Sequence, residues 1–134
     1  MDQSNNNVFT GNLIANSYGG SEGYGFYVAS SSNNNQFKDN IISKNGQYGI
    51  RFYPYNTASS GNLFEHNLVS DHLVYGIYGF SAGANTYKDN YVLNNSNTGI
   101  IVSGATGQTV AAIMSKAVIT ESTAAQIIII FPAM

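Results

Sequence analysis

The chain has no cysteine, few charged residues and no long apolar run, and each absence excludes a class of protein. Without cysteine it can hold neither a disulfide framework nor a thiolate metal site. Charged residues make up 9% of the 134 residues and the net charge is -2, so the basic surface that nucleic acid requires is missing. The apolar run Ile127–Phe131 is strand-length, so we predict no membrane span. The polar start Met1–Ser4 does not form a signal peptide.

Uncharged polar residues are abundant instead. Apolar residues make up 43% of the chain, which is enough to enclose a core, while eighteen asparagines and fourteen glycines accompany them. The length is that of one domain, and we predict a single domain over residues 1–134.

A repeated pattern, Asn-x-aromatic-x-x-Asn-x-aliphatic, organises the chain. Its four copies are Asn7–Ile14, Asn35–Ile42, Asn62–Val69 and Asn85–Val92, offset by 28, 27 and 23 residues. Each copy is followed by a glycine and an apolar residue, at Gly25-Phe26, Gly49-Ile50, Gly76-Ile77 and Gly99-Ile100. A further step of 27 residues puts Ala112, Met114, Ala117 and Ile119 on the same frame, with Gln126-Ile127 at the place of the glycine pair.

A period of this length is typical of a solenoid. Each copy contains about three short strand-like pieces and no helical apolar stripe, so we predict an all-β solenoid with one copy per coil. Equivalent residues should then stack at ~4.8 Å along the axis. We predict three inward columns: Phe9, Phe37, Phe64, Tyr87 and Met114; Ile14, Ile42, Val69, Val92 and Ile119; and Phe26, Ile50, Ile77, Ile100 and Ile127.

Two further columns are predicted to be structural. Asparagine tolerates left-handed bends, and its amide both donates and accepts, so one column should form a ladder between coils. Its members are Asn12, Asn40, Asn67 and Asn90. The glycine column is expected to make tight turns, because no phosphate-binding signature accompanies it.

The segment Asn35–Phe52 carries the full repeat and resembles the right-handed parallel β-helix of pectate-lyase-like proteins, including NosD-like and mannuronan-epimerase-type repeats. The resemblance covers residues 5 to about 107 and implies a right-handed parallel β-helix of four to five coils. It also implies an extracellular, periplasmic or cell-surface location and a polysaccharide partner. The epimerase motif Asp-Pro-His-Glu is absent, and no cofactor is expected.

Charged residues alternate beside the asparagine ladder. Stacking brings the carboxylates of Asp39 and Asp89 to the imidazole of His66, a set that could perform acid/base catalysis or hold a metal. The alternative is electrostatic register-setting. In full, the two neighbouring columns are Gly11, Asp39, His66, Asp89 and Lys116, and Thr10, Lys38, Glu65, Lys88 and Ser115.

Tyrosines are predicted to line an outer face. Sugars present flat apolar faces, which tyrosine rings can cover, so this face is a candidate glycan site; packing between coils is the alternative. The candidate binding residues are Tyr24, Tyr48 and Tyr75 before the glycines, and Tyr27, Arg51 and Tyr78 after them.

Other aromatic and ionisable residues are assigned to loops. The pair Asp71-His72 is expected in a solvated loop close to Tyr75. Tyr53-Pro54-Tyr55 and Phe80 are likewise placed in loops.

The composition changes after Gly107, where asparagine, tyrosine and glycine no longer occur. Residues 108–134 are predicted to be a degenerate terminal coil, a cap or an assembly segment. The leading functional hypothesis is a non-catalytic, carbohydrate-associated β-helix. One alternative is a self-assembling fibre or homo-oligomer that associates through the C-terminal segment. The other is a fragment of a polysaccharide lyase, C5-epimerase or glycoside hydrolase that uses Asp39, His66 and Asp89.

Overall fold

The structure is a computed structural model, and it describes residues 1–54, 57–80, 83–103, 107, 109–114 and 126–130. These residues form thirteen strands and no helix. Among them, no helix is long and apolar enough to cross a membrane. The all-β prediction is therefore confirmed.

Successive repeats make successive coils. The first coil contains β1 (Val8–Thr10), β2 (Leu13–Ala15) and β3 (Tyr24–Ala29), and the second contains β4 (Gln36–Lys38), β5 (Ile41–Ser43) and β6 (Tyr48–Tyr53). The third contains β7 (Leu63–Glu65), β8 (Leu68–Ser70) and β9 (Tyr75–Phe80). The fourth contains β10 (Thr86–Leu93) and β11 (Thr98–Ser103), and it is followed by β12 (Thr109–Met114) and β13 (Gln126–Ile130).

Equivalent strands pair in parallel, which makes the stack a β-solenoid of about four turns. The strands β11, β9, β6 and β3 form a four-stranded sheet. The other nine strands form one larger sheet, which turns at a bend between the first and second strands of each of the first three coils. The two parts of that larger sheet join at β10, which runs through the bend and pairs with β7 and then with β8. Each sheet thus presents columns of equivalent residues along the axis.

The predicted inward columns form the core over four coils. The rings of Phe37 and Phe64 are stacked with centroids 4.3 Å apart, and Tyr87 continues the stack at 5.3 Å from Phe64. Ile42, Val69 and the other aliphatic members of the middle coils are buried as well. Like residues therefore bury one another, which is how a coil that cannot fold alone is stabilised.

The predicted frame of the fifth coil is wrong. Val110, not Met114, pairs with Tyr87, and Met114 pairs with Val92. Ala111, not Ser115, pairs with Lys88, and a register shift between Lys88 and Asn90 leaves no fifth-coil residue opposite Asp89. Ile127 pairs with Val110 and not with Ile100. The chain re-enters the sheet after a shorter loop than the 27-residue step assumes. Lys116, Ala117 and Ile119 lie outside the described residues.

The asparagine ladder is confirmed. In its centre, Asn67 Oδ1 accepts hydrogen bonds from the backbone N–H and the Nδ2 of Asn40, at 3.0 Å each. Asn67 Nδ2 donates to Asn90 Oδ1 and to Phe37 O. The left-handed conformation falls on the residue before the ladder asparagine, at Gly11, Asp39, His66 and Asp89, and not on the asparagine itself.

The glycine column does not make turns. Gly25, Gly49 and Gly76 are the second residues of strands, and none of them has a positive φ. A Cβ at Gly49 would lie 2.5 Å from Val69 Cγ1 and 2.6 Å from His72 Nε2. The column is glycine because an adjacent side chain fills the space that a Cβ would need.

Candidate functional site

The predicted tyrosine strips come together on the outer face of β3, β6 and β9. Gly25 and Phe26 both point inward, so the usual alternation is interrupted and Tyr24 and Tyr27 share the outer face, with ring centroids 5.2 Å apart. Tyr48 lies 5.4 Å from Tyr24 and 5.4 Å from Tyr75. We call this surface the tyrosine face. It consists of Tyr24, Tyr27, Tyr48, Arg51, Tyr53, Tyr75 and Tyr78.

Arg51 lies at the centre of the tyrosine face. Its guanidinium carbon is 5.3 Å from the Tyr24 ring centroid and 5.0 Å from those of Tyr48 and Tyr53. Its Nη1 donates to the Tyr24 hydroxyl at 2.7 Å, while its Nε is buried and has no hydrogen-bond partner among the described residues. Among the ion pairs of the described residues, none involves Arg51. The face therefore carries a positive charge that no carboxylate of the described residues neutralises.

The face is partly buried by its own packing. Burial raises the pKa of Tyr48 above its ordinary value, and the nearby Arg51 charge opposes that rise. The Tyr48 phenol therefore stays protonated at neutral pH, and it can donate one hydrogen bond and accept others. A flat apolar surface edged with hydroxyls and one guanidinium is the result.

The Asp39, His66 and Asp89 set is assembled as predicted. His66 Nδ1 lies 3.7 Å from Asp39 Oδ1, and His66 Nε2 lies 3.9 Å from Asp89 Oδ2. All three side chains are more than half exposed. They occupy left-handed bends, a conformation in which aspartate and histidine are enriched, so backbone geometry by itself accounts for these residue types. An acid/base role for them stays a prediction.

Lysines neutralise the neighbouring carboxylates. Lys88 Nζ lies 3.0 Å from Glu65 Oε1 and 3.6 Å from Asp89 Oδ2, and Lys38 contacts the other Glu65 oxygen at 3.6 Å. The Lys88 hydrogen bond lowers the pKa of Glu65, and the same bond raises the pKa of Lys88. One ligand atom from each of Glu65, His66 and Asp89 could meet at a metal ion, but the Lys88 ammonium already supplies a cation there.

His72 lies between β8 and β9, as predicted, but the prediction that it is solvated is wrong. Its side chain is fully buried and occupies a ladder position, where it accepts a hydrogen bond from Asn45 N–H at Nδ1. Asp71 is the exposed left-handed residue that precedes it, as Asp39 precedes Asn40. Tyr53 and Phe80 end strands β6 and β9 and are not loop residues; Tyr55 lies outside the described residues.

Two further ladders were missed from the sequence. One joins the first asparagine of each repeat, Asn7, Asn35, Asn62 and Asn85. The other, which we call the third ladder, joins Ser17, Asn45, His72 and Asn95. The repeat offset would have found both, since 45, 72 and 95 are spaced by the same 27 and 23 residues as the predicted ladder. Tyr53 was also missed, although it lies two residues after Arg51 on the same strand.

Comparisons with known proteins agree with this architecture. A family model described as a right handed beta helix region matches residues 1–113. No curated protein and no solved structure matches the chain. With its parallel coils and asparagine ladders, the chain belongs to the right-handed β-helix family.

Proposed function

We propose that the tyrosine face binds a polysaccharide, and that Arg51 contacts an acidic group on it. The observation that carries the proposal is the Arg51 guanidinium, which is surrounded by three tyrosine rings and has no carboxylate partner among the described residues. A charge held on an apolar face without a counter-ion is stabilised by an anionic ligand group.

The spacing of the rings supports a repeating ligand. Tyr24, Tyr48 and Tyr75 recur every 5.4 Å along three coils, so neighbouring sugar units of one polysaccharide would meet equivalent rings. Tyrosine combines an apolar ring with a polar tip, which suits the C–H faces and hydroxyls of sugars. An extracellular, periplasmic or cell-surface location belongs to the same proposal, and fractionation of the producing cells tests it.

Affinity electrophoresis in gels containing polygalacturonate or neutral dextran tests the binding. We expect retardation by polygalacturonate, and we expect Tyr27→Ala with Tyr78→Ala to weaken it about tenfold, because each aromatic contact contributes ~0.5–1.5 kcal/mol. Arg51→Gln should abolish the preference for the acidic polymer. Tyr91→Ala is the matched control, because Tyr91 is 49% exposed but lies on β10. The proposal would be refuted if polygalacturonate retarded all variants as strongly as the parent chain, or if it did not retard the parent chain at all.

A second candidate is self-assembly through β13. Among the described strands, β13 pairs only with β12, and it consists of a glutamine and four isoleucines. An apolar, uncharged strand with a free edge favours pairing with another chain. Sedimentation across a hundredfold concentration range tests this, with Ile129→Lys as the variant that should remove any growth in mass. A constant monomer mass for the parent chain excludes it.

A further inference from the structure

His72 takes the place of an asparagine in the third ladder. In this ladder the side chains of Asn45 and Asn95 each accept from a backbone N–H of the preceding coil and donate to a carbonyl of that coil. Asn45 Oδ1 accepts from Ser17 N–H at 3.0 Å, and Asn45 Nδ2 donates to Ile14 O at 3.2 Å. His72 reproduces both bonds with its two ring nitrogens: Nδ1 faces Asn45 N–H at 3.1 Å and Nε2 faces Ile42 O at 3.1 Å.

These partners dictate the protonation state of the ring. A backbone N–H can only donate, so Nδ1 must be the unprotonated acceptor. A carbonyl can only accept, so Nε2 must carry the proton. The folded ladder therefore requires the neutral Nε2–H tautomer of His72.

We propose that His72 makes this β-helix acid-sensitive: a proton on Nδ1 removes the acceptor for Asn45 N–H and opens the third ladder beneath β6. Two donors would then face each other at a buried site, and the imidazolium would carry an unpaired charge. An asparagine at the same position has no second protonation state, because its amide does not titrate. His72 is thus the one member of the third ladder that titrates.

The surroundings of the ring favour the neutral form. Burial lowers the pKa of His72, while the hydrogen bonds to Ile42 and Asn45 and the charge of Asp71 oppose that effect. Asp71, the preceding residue, is the neighbouring carboxylate whose charge acts on this ring. The groups that face the ring from β5 and β6 are the Ile42 carbonyl and Gly49. From the preceding coil the backbone N–H of Asn45 faces Nδ1, and in the following coil Asn95 Oδ1 accepts from the backbone N–H of His72.

The direction of the pH effect follows from linkage. The unfolded chain has an ordinary histidine, with a pKa near 6.5, whereas the folded chain binds the proton less well. The contribution of His72 to stability is therefore complete above about pH 6.5 and is lost as pH falls towards the lower folded pKa. In that window the folding equilibrium constant should fall by up to about tenfold per pH unit.

The ring lies directly under the tyrosine face. A Cβ added to Gly49, the neighbour of Tyr48, would be 2.6 Å from His72 Nε2. Opening the third ladder would therefore disturb β6, which carries Tyr48 and Arg51. Acid-triggered release of a bound glycan is the expected consequence, and that consequence rests on the proposed function.

Urea unfolding of the full chain at pH 7.5 and pH 5.0 tests the inference. We expect the parent chain to lose stability at the lower pH and His72→Asn to lose markedly less, because asparagine restores a regular ladder. His66→Asn is the matched control, because it removes the exposed histidine and should keep the pH response of the parent. An equal pH response in His72→Asn and the parent would overturn the inference.

Nitrogen-15 NMR of the parent chain keeps the test valid if His72→Asn does not fold. We expect an unprotonated Nδ1 at pH 7.5 and a ring that remains neutral below pH 6.5 while the chain is folded. A protonated Nδ1 in the folded chain would refute the proposal. The chain could show the expected pH-dependent unfolding and yet bind no glycan. That result would refute the proposed function and leave the role of His72 intact.

Discussion

The buried asparagine ladders and the charged columns on the surface follow the same axis in the same register, but they differ in what surrounds them. Asn67 is fully buried, and both polar atoms of its side chain are hydrogen-bonded. Glu65, two residues earlier, pairs with Lys38 and Lys88, of which Lys88 is about half exposed. Water can replace the hydrogen-bond partners of the charged column, but it cannot reach the buried asparagine ladder to replace the partners there.

This difference indicates that a repeated polar column stabilises a solenoid in proportion to its burial. A buried donor without a partner costs about 1–3 kcal/mol, whereas an exposed ion pair contributes ~0–1 kcal/mol. The interior should therefore tolerate few substitutions even where its residues are polar. The outer columns should tolerate many.

The strongest test of this comparison is Asn67→Ala. The change leaves the Asn40 N–H and Nδ2 without their acceptor and leaves Phe37 O without one of its donors. We expect a loss of about 3 kcal/mol in the free energy of unfolding, measured by urea denaturation. Asn12→Ala is the control from the exposed end of the same ladder and should cost less than about 1 kcal/mol. Similar losses for the two variants would contradict the role of burial.

The substitution Gly49→Ala tests whether the interior of the solenoid tolerates added volume. The new methyl group would lie 2.5 Å from Val69 Cγ1 and 2.7 Å from Gly76 O. Overpacking of this kind costs about 1–3 kcal/mol, and we expect that loss in the same urea experiment. Gly19→Ala is the control, because its nearest neighbour would be an ordinary 3.4 Å away. A neutral Gly49→Ala would mean that the strands can separate to admit a side chain.

Tyr87→Phe should have the opposite sign. Tyr87 continues the phenylalanine stack, and its hydroxyl is buried without a hydrogen-bond partner among the described residues. Burial raises the pKa of this phenol, so the group is neutral, and its removal relieves an unsatisfied polar atom. We expect a gain of about 1 kcal/mol in unfolding free energy. A clear loss would show that the hydroxyl has a partner, such as a buried water.

Glu65→Gln should have the smallest effect. It removes the charge between Lys38 and Lys88 but keeps the size of the side chain. We expect only a small loss of stability, which shrinks further in 1 M salt because salt screens exposed ion pairs. Thermal unfolding at two salt concentrations measures it. A loss as large as that of Asn67→Ala would remove the distinction between the two kinds of column.

The described fifth coil shows where sequence patterns stop being informative. Phe37, Asn40 and Ile42 recur as like residues in coils two to four, so their register could be predicted from spacing. Beyond Gly107 the chain has no asparagine or tyrosine to fix the frame, and Val110 rather than Met114 continues the aromatic column. Loop length varies freely in a solenoid, so extrapolating a constant step fails once these markers are gone.

The members of the candidate site were predictable from the sequence except for Tyr53, whereas its charge balance was not. The spacing placed Tyr24, Tyr48 and Tyr75 in one column, as the structure confirms. The sequence did not show that Arg51 donates to Tyr24 or that it has no carboxylate partner among the described residues, because both depend on packing across coils. Such a result requires side-chain directions, which the inward turn of both Gly25 and Phe26 alters locally.

The sequence by itself determined the solenoid, its period and the central asparagine ladder, because stacking in register requires like residues to recur at one spacing. Only the tertiary structure showed that the His72 ring is buried and hydrogen-bonded to the preceding coil, although its spacing from Asn45 and Asn95 follows the repeat. It also decided that Gly25, Gly49 and Gly76 leave room for adjacent side chains. The physical reason is the same in both cases: the residue type is set by contacts with a neighbouring coil, which the local sequence does not contain.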